Sequence, residues 1–233
     1  MKTLLFAPCY LDGKDWQGYE RVKRIQDWLF FHIQLKDQLG FDEIWMSDDC
    51  SDPENLEATG ASIWNDKLQP MNGGNPRIGL VNIVSYRKPL VSGGGSCVNY
   101  PYCWKALYVM RSVMERFDYS KSITLDTDAY VLSQRLASYV KSLKSGWTAF
   151  WINKYNFPSA EFHVLTQPAL HQFEDFTEPP YMAHQGKLME TSLPFTNINR
   201  DFICDRFGEQ GVQQHPQMDL YSQYRGDVKL AFH

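Results

Sequence analysis

At 233 residues, with 43% hydrophobic and 21% charged side chains, the chain is long enough to bury a sizeable core and fits one large α/β domain better than two small ones. Its formal charge of −4 argues against non-specific binding to nucleic acid or an anionic membrane surface, which needs a basic face. The five cysteines (Cys9, Cys50, Cys97, Cys103, Cys204) are scattered with no C-x-x-C pair, which argues against a zinc cluster or a disulfide framework and makes a reducing, cytoplasmic compartment the simplest expectation.

The opening apolar run, residues 3–7, is too short for a signal peptide and reads as a first buried strand closed by Pro8. Over residues 19–39, Val22, Ile25, Trp28, Leu29 and Ile33 recur at a spacing of three to four, predicting a long helix that Gly40 stops. A second strand is predicted at 43–47, running into Asp48-Asp49-Cys50-Ser51-Asp52-Pro53, and a short helix at 55–58. The loop 69–76 reads as a surface turn without chemistry. A third strand follows at 79–86, and the glycine-rich stretch 90–96 then leads into a helix at 98–117 with Leu107, Met110, Val113 and Met114 inward. Backbone N–H groups against a phosphate and simple flexibility are equally good readings of that stretch, which lacks a Walker A ending. A fourth strand at 121–125 and a helix at 134–143 complete an alternation that predicts a mostly parallel sheet covered on both faces. Ligands in such sheets bind beyond the carboxyl ends of the strands.

From Gly146 the rhythm loosens. Strands are predicted at 147–153 and 161–165, among Pro158, Pro168, Pro179, Pro180 and Pro194 and many aromatics, as in a binding region built on loops. An aromatic content of 15%, with 7 Trp and 13 Tyr, favours a site that stacks on ring-shaped ligands. No apolar run approaches the ~18–20 residues that span a bilayer.

The segment Ser122-Ile123-Thr124-Leu125-Asp126-Thr127-Asp128-Ala129-Tyr130-Val131 carries the sharpest chemical signal. In an extended backbone, side chains at i and i+2 point the same way, so Asp126 and Asp128 can converge at a strand end. Two carboxylates there repel unless a proton or cation lies between them, and oxygen ligands of this kind suit Mg²⁺ or Mn²⁺ with positions left for phosphate oxygens. An acidic strand-end turn is the bland reading of the same motif.

Together these parts resemble a glycosyltransferase of the GT-A fold, family 2 type. Phe6-Ala7-Pro8-Cys9-Tyr10 is similar to the family's opening strand and P-x-Y/F turn. The stretch from Glu43 to Asp52 is similar to the strand ending in V-D-D-G-S-x-D, and residues 122–132 to the strand with the D-x-D element. Residues 218–230 resemble the late helix E-D-x-D-L…R…G-x-K/R-L. The resemblance implies a single catalytic domain over 1–233, with a nucleotide-sugar half (1–132) and an acceptor half (133–233). It further implies transfer of a sugar from a UDP- or GDP-sugar to a carbohydrate hydroxyl, with Mn²⁺ or Mg²⁺ held by Asp126 and Asp128. His233, after a predicted strand, is the expected third ligand and His215 its substitute; Tyr10, Asp48, Asp49, Lys105 and Asp126 fall to the donor.

The chain also departs from the family. Pro216-Gln217 stand where the family has Glu-Asp, so the general base passes to Asp219, or to Glu209, Glu161 or Asp175, or is dispensed with in a retaining enzyme. Cys50 replaces a glycine, which is tolerated as long as the turn needs no positive φ. Trp151 and Tyr155 are candidates to stack on a sugar, and Trp147 reads better as core. Three other functions compete. A haloacid-dehalogenase-type phosphatase places its D-x-D in the opening strand, and a nucleotidyltransferase opens on a G-x-G-x-R loop; neither feature is present. A carbohydrate-binding protein without catalysis has only the aromatic content in its favour.

Overall fold

The side-chain alternation along β1 (Thr3–Cys9) shows how the layers arise: Leu5, Ala7 and Cys9 enter one apolar core, Leu4 and Phe6 the other. The same split runs through β2 (Glu43–Asp48), where Ile44 and Met46 face one way and Trp45 the other. The computed structural model describes residues 2–15, 18–71, 79–86, 101–176, 188–214, 216–226 and 229–233. Beyond β1 and β2, its main sheet contains β3 (Ser62–Trp64), β4 (Val81–Ser85), β5 (Lys121–Leu125), β7 (Trp147–Ile152), β8 (Phe157–Thr166) and β9 (Asn197–Asn199). The order is β3-β4-β2-β1-β5-β8-β7-β9, parallel from β3 to β5, with β8 antiparallel to both β5 and β7.

Helices cover both faces. Ile25, Trp28 and Leu29 of α1 (Arg21–Gln34) pack with Leu136, Ala137 and Val140 of α5 (Gln134–Ser142) on one side. Leu107, Met110, Val113 and Met114 of α4 (Pro101–Phe117) fill the other. A smaller sheet joins β6 (Tyr130–Val131), just after β5 in the chain, to β11 (Leu220–Tyr221) and β10 (Cys204–Asp205) from much later. Because β2 lies on one side of β1 and β5 on the other, the strand order reverses at β1, and in such sheets ligands bind beyond the carboxyl ends at that point.

Several elements differ from the predicted ones. Pro8 lies inside β1 rather than closing it, but β5 stops pairing at Phe6↔Thr124, so Pro8 has a neighbour on one side only and the missing N–H is tolerated. The predicted helix 19–39 breaks at Leu35 into α1 and α2 (Lys36–Leu39), and Gly40 at φ 71 ends it. Ile33 faces solvent; His32 is buried instead, its Nδ1 2.9 Å from Trp28 O and its pKa pushed down to about 3 by burial. Residues 218–230 do not form the expected helix among the described positions: Leu220 and Tyr221 are buried and pair with Val131 and Tyr130 as strand. The glycine-rich stretch 90–96 and most of the loop 69–76 lie outside the described residues. No described helix is long and apolar enough to cross a membrane.

Candidate active site

Polar bonds stitch together the loops leaving β1 and β2. Leu11 N–H donates to Ser51 Oγ (2.8 Å), and the Asp12 carboxylate accepts from Asp52 N–H (2.9 Å) and Asn55 Nδ2 (2.8 Å). Asp48 is fully buried and accepts from Ser51 N–H (2.9 Å), the Ser51 hydroxyl and the Ser85 hydroxyl (2.8 Å). Burial raises its pKa and these bonds oppose the rise. Asp48, expected at the donor, is therefore a brace of the turn. Asp49 beside it is half-buried, and its charge acts on Tyr10, Cys50, Tyr86 and Lys105. The turn does require positive φ: Cys50 sits at 69°, a strained position for a side chain.

Tyr10 is 39% exposed at the end of β1, with the Arg21 guanidinium 5.0 Å over its ring. Lys105 is half-buried on α4, its Nζ 3.0 Å over the Tyr86 ring; burial lowers its pKa while Asp49 and Asp66 oppose that. The charge of Asp49 thus acts on both Tyr10, just past β1, and Lys105 on α4.

β5 stops at Leu125, and Asp126 to Ala129 make a turn closed by Ala129 N–H on Asp126 O (2.9 Å). A turn, not the extended backbone the i, i+2 argument assumed, therefore places the two aspartates, and the charge of Asp128 acts on Asp126. Asp126 N–H donates to Glu161 O (2.9 Å), and Tyr224 N–H to Asp128 O (2.9 Å), so the turn is fixed from β8 and from the segment after β11. Among the described residues neither aspartate side chain makes an ion pair. Burial raises the pKa of Asp126 well above the usual carboxylate range, and the charges of Glu161 and Asp128 add to it. Asp128 is raised by burial too, against the pull of Arg24 and Arg206.

Glu161, one of the alternative bases named from the sequence, lies on β8 beside Arg206, which no sequence pattern brings out. Glu161 is 7% exposed, and its Oε1 accepts from Gln223 Nε2 (2.9 Å) and faces Arg206 Nε (3.0 Å). Burial lifts its pKa to about 7; Arg206 lowers it and Asp128 raises it. Arg206 also pairs with Glu190 (3.3 Å) and Glu209 (3.6 Å) and lies 4.9 Å from the Tyr155 ring centroid. Nothing in the sequence separates Glu190, Arg206 or Gln223 from ordinary surface polar residues; their meeting is purely tertiary.

Asp219 does not fit the role of base expected for it. It is 1% exposed, bonded to the Ser133 hydroxyl, paired with the Arg135 guanidinium through both oxygens, and takes the Ile203 N–H (2.7 Å). Every lone-pair direction suited to a substrate proton is occupied, so Asp219 ties β11 to the start of α5. His233 is exposed, and its backbone bonds Leu132 O and Gln134 N–H (both 2.7 Å), with no strand before it. Among the described residues no set of three His, Cys, Asp or Glu side chains is placed to hold a metal ion, so His233 does not complete a site with Asp126 and Asp128. Glu209 is bonded to the Tyr155 hydroxyl and paired with Lys154 (3.1 Å). Trp147 is core, and the Trp151 ring is covered by the Arg200 guanidinium at 3.3 Å. His215 and the side chain of Asp175 lie outside the described residues.

The sequence matches no protein-family model and no curated protein. Among solved structures the fold is similar to a glycosyltransferase involved in glycosylation of the major capsid of PBCV-1, at 7% identity over 97% of this chain and 96% of that one, with a TM-score of 0.48. It is also similar to the mannosyltransferase PcManGT from Pyrobaculum calidifontis, solved with GDP-Man and Mn²⁺ (11% identity, 76% of this chain, 46% of that one, TM-score 0.44). HddC from Yersinia pseudotuberculosis is a third (14% identity, 86% and 89% covered, TM-score 0.43). The likeness is loose enough that none of their residues or activities transfers to this chain.

Proposed function

We propose that the chain is a glycosyltransferase that moves a sugar from a nucleoside-diphosphate sugar to an acceptor hydroxyl, with Mg²⁺ or Mn²⁺ assisting. The observation that carries this reading is the Asp126–Asp128 pair at the carboxyl end of β5, crowded by Glu161 and without an ion-pair partner among the described residues. Uncompensated carboxylates at a strand end fit a hard divalent cation, which would relieve their repulsion. The donor set is two carboxylates, so water and the donor's phosphate oxygens would fill the remaining positions. When bound, the cation supplies Lewis-acid neutralisation of the charge on the departing diphosphate. The chain's own residues divide the rest. Tyr10 offers a ring face to a nucleobase, Asp49 an acceptor for a base N–H, and Lys105 a cation for the phosphates.

The test is a thermal-shift series of UDP and GDP with and without Mn²⁺ on the intact chain and on Asp126→Ala and Asp128→Ala. A nucleoside diphosphate should stabilise the intact chain when Mn²⁺ is present, and both variants should lose that stabilisation while keeping their own cooperative melting. Variants that bind as the intact chain does would refute the site.

A further inference from the structure

With Asp219 committed to the scaffold, a third carboxylate beside Asp126 and Asp128 has an oxygen that no described residue bonds. Among the described residues Glu161 Oε2 is buried and has no hydrogen-bond partner, on a side chain that is 93% buried (7% exposed) and whose other oxygen accepts from Gln223 Nε2 and is ion-paired with Arg206 Nε. The Ser222 hydroxyl lies near enough to lower the Glu161 pKa, but its hydrogen bond is to Asp205 O (3.3 Å), not to Oε2. A buried acceptor left unpaired costs about 1–3 kcal/mol, and folds retain such groups where something else binds them. The geometry says where that something would be. Glu161 precedes Phe162, the β8 residue opposite Leu125, and its carbonyl holds the Asp126 N–H, so its side chain stands beside the aspartate turn on the antiparallel neighbour of β5. Its charge is the largest of those acting on Asp126.

Taking the glycosyl-transfer reading as given, we infer that Glu161 is the catalytic base: its free Oε2 receives the hydrogen bond, and then the proton, of the attacking acceptor hydroxyl. The bonds balance within the reactants. The hydroxyl oxygen bonds to the sugar's anomeric carbon, its proton passes to Oε2, and the anomeric carbon–oxygen bond breaks with its electron pair leaving on the nucleoside diphosphate. Arg206 and Gln223 are positioning residues; by holding Oε1 they leave Oε2 to turn toward the acceptor. This assigns a base on β8, at the proposed donor site itself, where the described residues of the late segment provide none.

Water is the smallest acceptor, so the test needs no knowledge of the natural one. The probes are UDP-glucose and GDP-mannose with Mn²⁺, and the readouts are release of free sugar and, separately, Mn²⁺-dependent binding of UDP and GDP. The intact chain should slowly hydrolyse one of the two donors. Glu161→Gln should slow this by about a hundredfold or more while nucleotide affinity stays within about twofold. Glu161→Asp, which keeps the charge but withdraws the oxygen by one methylene, should show the same split and serves if the Gln variant does not fold. Hydrolysis unchanged in these variants overturns the inference. So does loss of nucleotide binding, which would put Glu161 on the donor, and so does an intact chain that binds nucleotide yet never releases the sugar. An intact chain that binds neither nucleotide fails at the earlier step, and glycosyl transfer falls with it.

Discussion

Replacing Glu161 by Gln should make the fold more stable, by an amount that depends on pH. Burial raises the Glu161 carboxyl from 4.5 to about 7, with Arg206 opposing and Asp128 adding to the rise. A carboxyl with a higher pKa in the fold than in the unfolded chain binds more protons when folded. Its stabilising contribution is therefore complete below pH 4.5 and is lost as the pH rises through about 7. At about 1.36 kcal/mol per pH unit, that gap leaves the ionised side chain opposing the fold by about 3 kcal/mol at pH 8 and about 1 kcal/mol at pH 5. Gln is nearly isosteric with the neutral acid, can still accept from Gln223 Nε2, and carries no charge at either pH. Urea titration in metal-free buffer reads the difference: the midpoint of the variant should lie about 1 M above that of the intact chain at pH 8, and much closer to it at pH 5. A midpoint that falls at pH 8, or a shift of equal size at both pH values, would show that the side chain is not held against its charge.

Asp219→Ala should lower stability by about 2–3 kcal/mol, because Ser133, Ile203 N–H and Arg135 lose their common acceptor, while donor hydrolysis per folded molecule is unchanged. Lost turnover in a variant that melts like the intact chain would return Asp219 to the chemistry. Cys50→Gly should raise stability by up to about 1 kcal/mol in chemical denaturation, since glycine adopts φ 69 without a Cβ clash but gives back some chain entropy in the unfolded state. A drop in stability would mean that the Cys50 side chain makes contacts worth more than the strain.

The sheet was legible because its strands are buried on both faces and so read as short apolar runs with charged ends: residues 121–125 coincide with β5, and α5 differs by one residue from the helix expected there. β3 was missed because three residues carry too little periodicity, and β11 was mistaken for helix because a two-residue strand is defined by its partners, here Val131 and Tyr130. The site divides along the same line. Asp49, Asp126 and Asp128 end strands, and a strand end can be found from the local pattern. Asp48 and Asp219 looked identical to them in sequence, and only the bonds they accept from Ser51, Ser85, Ser133 and Arg135 show that they brace the fold. Arg206 had no signal, since its meaning lies in Glu161, Glu190 and Glu209, the closest in sequence three residues away and the farthest forty-five.

The placement of Arg206 bears on why the acidic centre persists at all. A centre built only for stability would pair Asp126 or Asp128 with that guanidinium, which already influences the pKa of both. Instead, Arg206 bonds the glutamates around them, Glu161, Glu190 and Glu209, and is steadied on the Tyr155 ring. The cation thus lowers the total charge of the centre without filling the position between the two aspartates. Their repulsion remains as stored instability that a proton or a bound cation removes, the pattern expected where a fold gives up stability to keep a binding position open. Moving the guanidinium by one partner would relieve that strain and close the position in the same stroke, so the charge arrangement that weakens the fold is the one on which the proposed cation site depends.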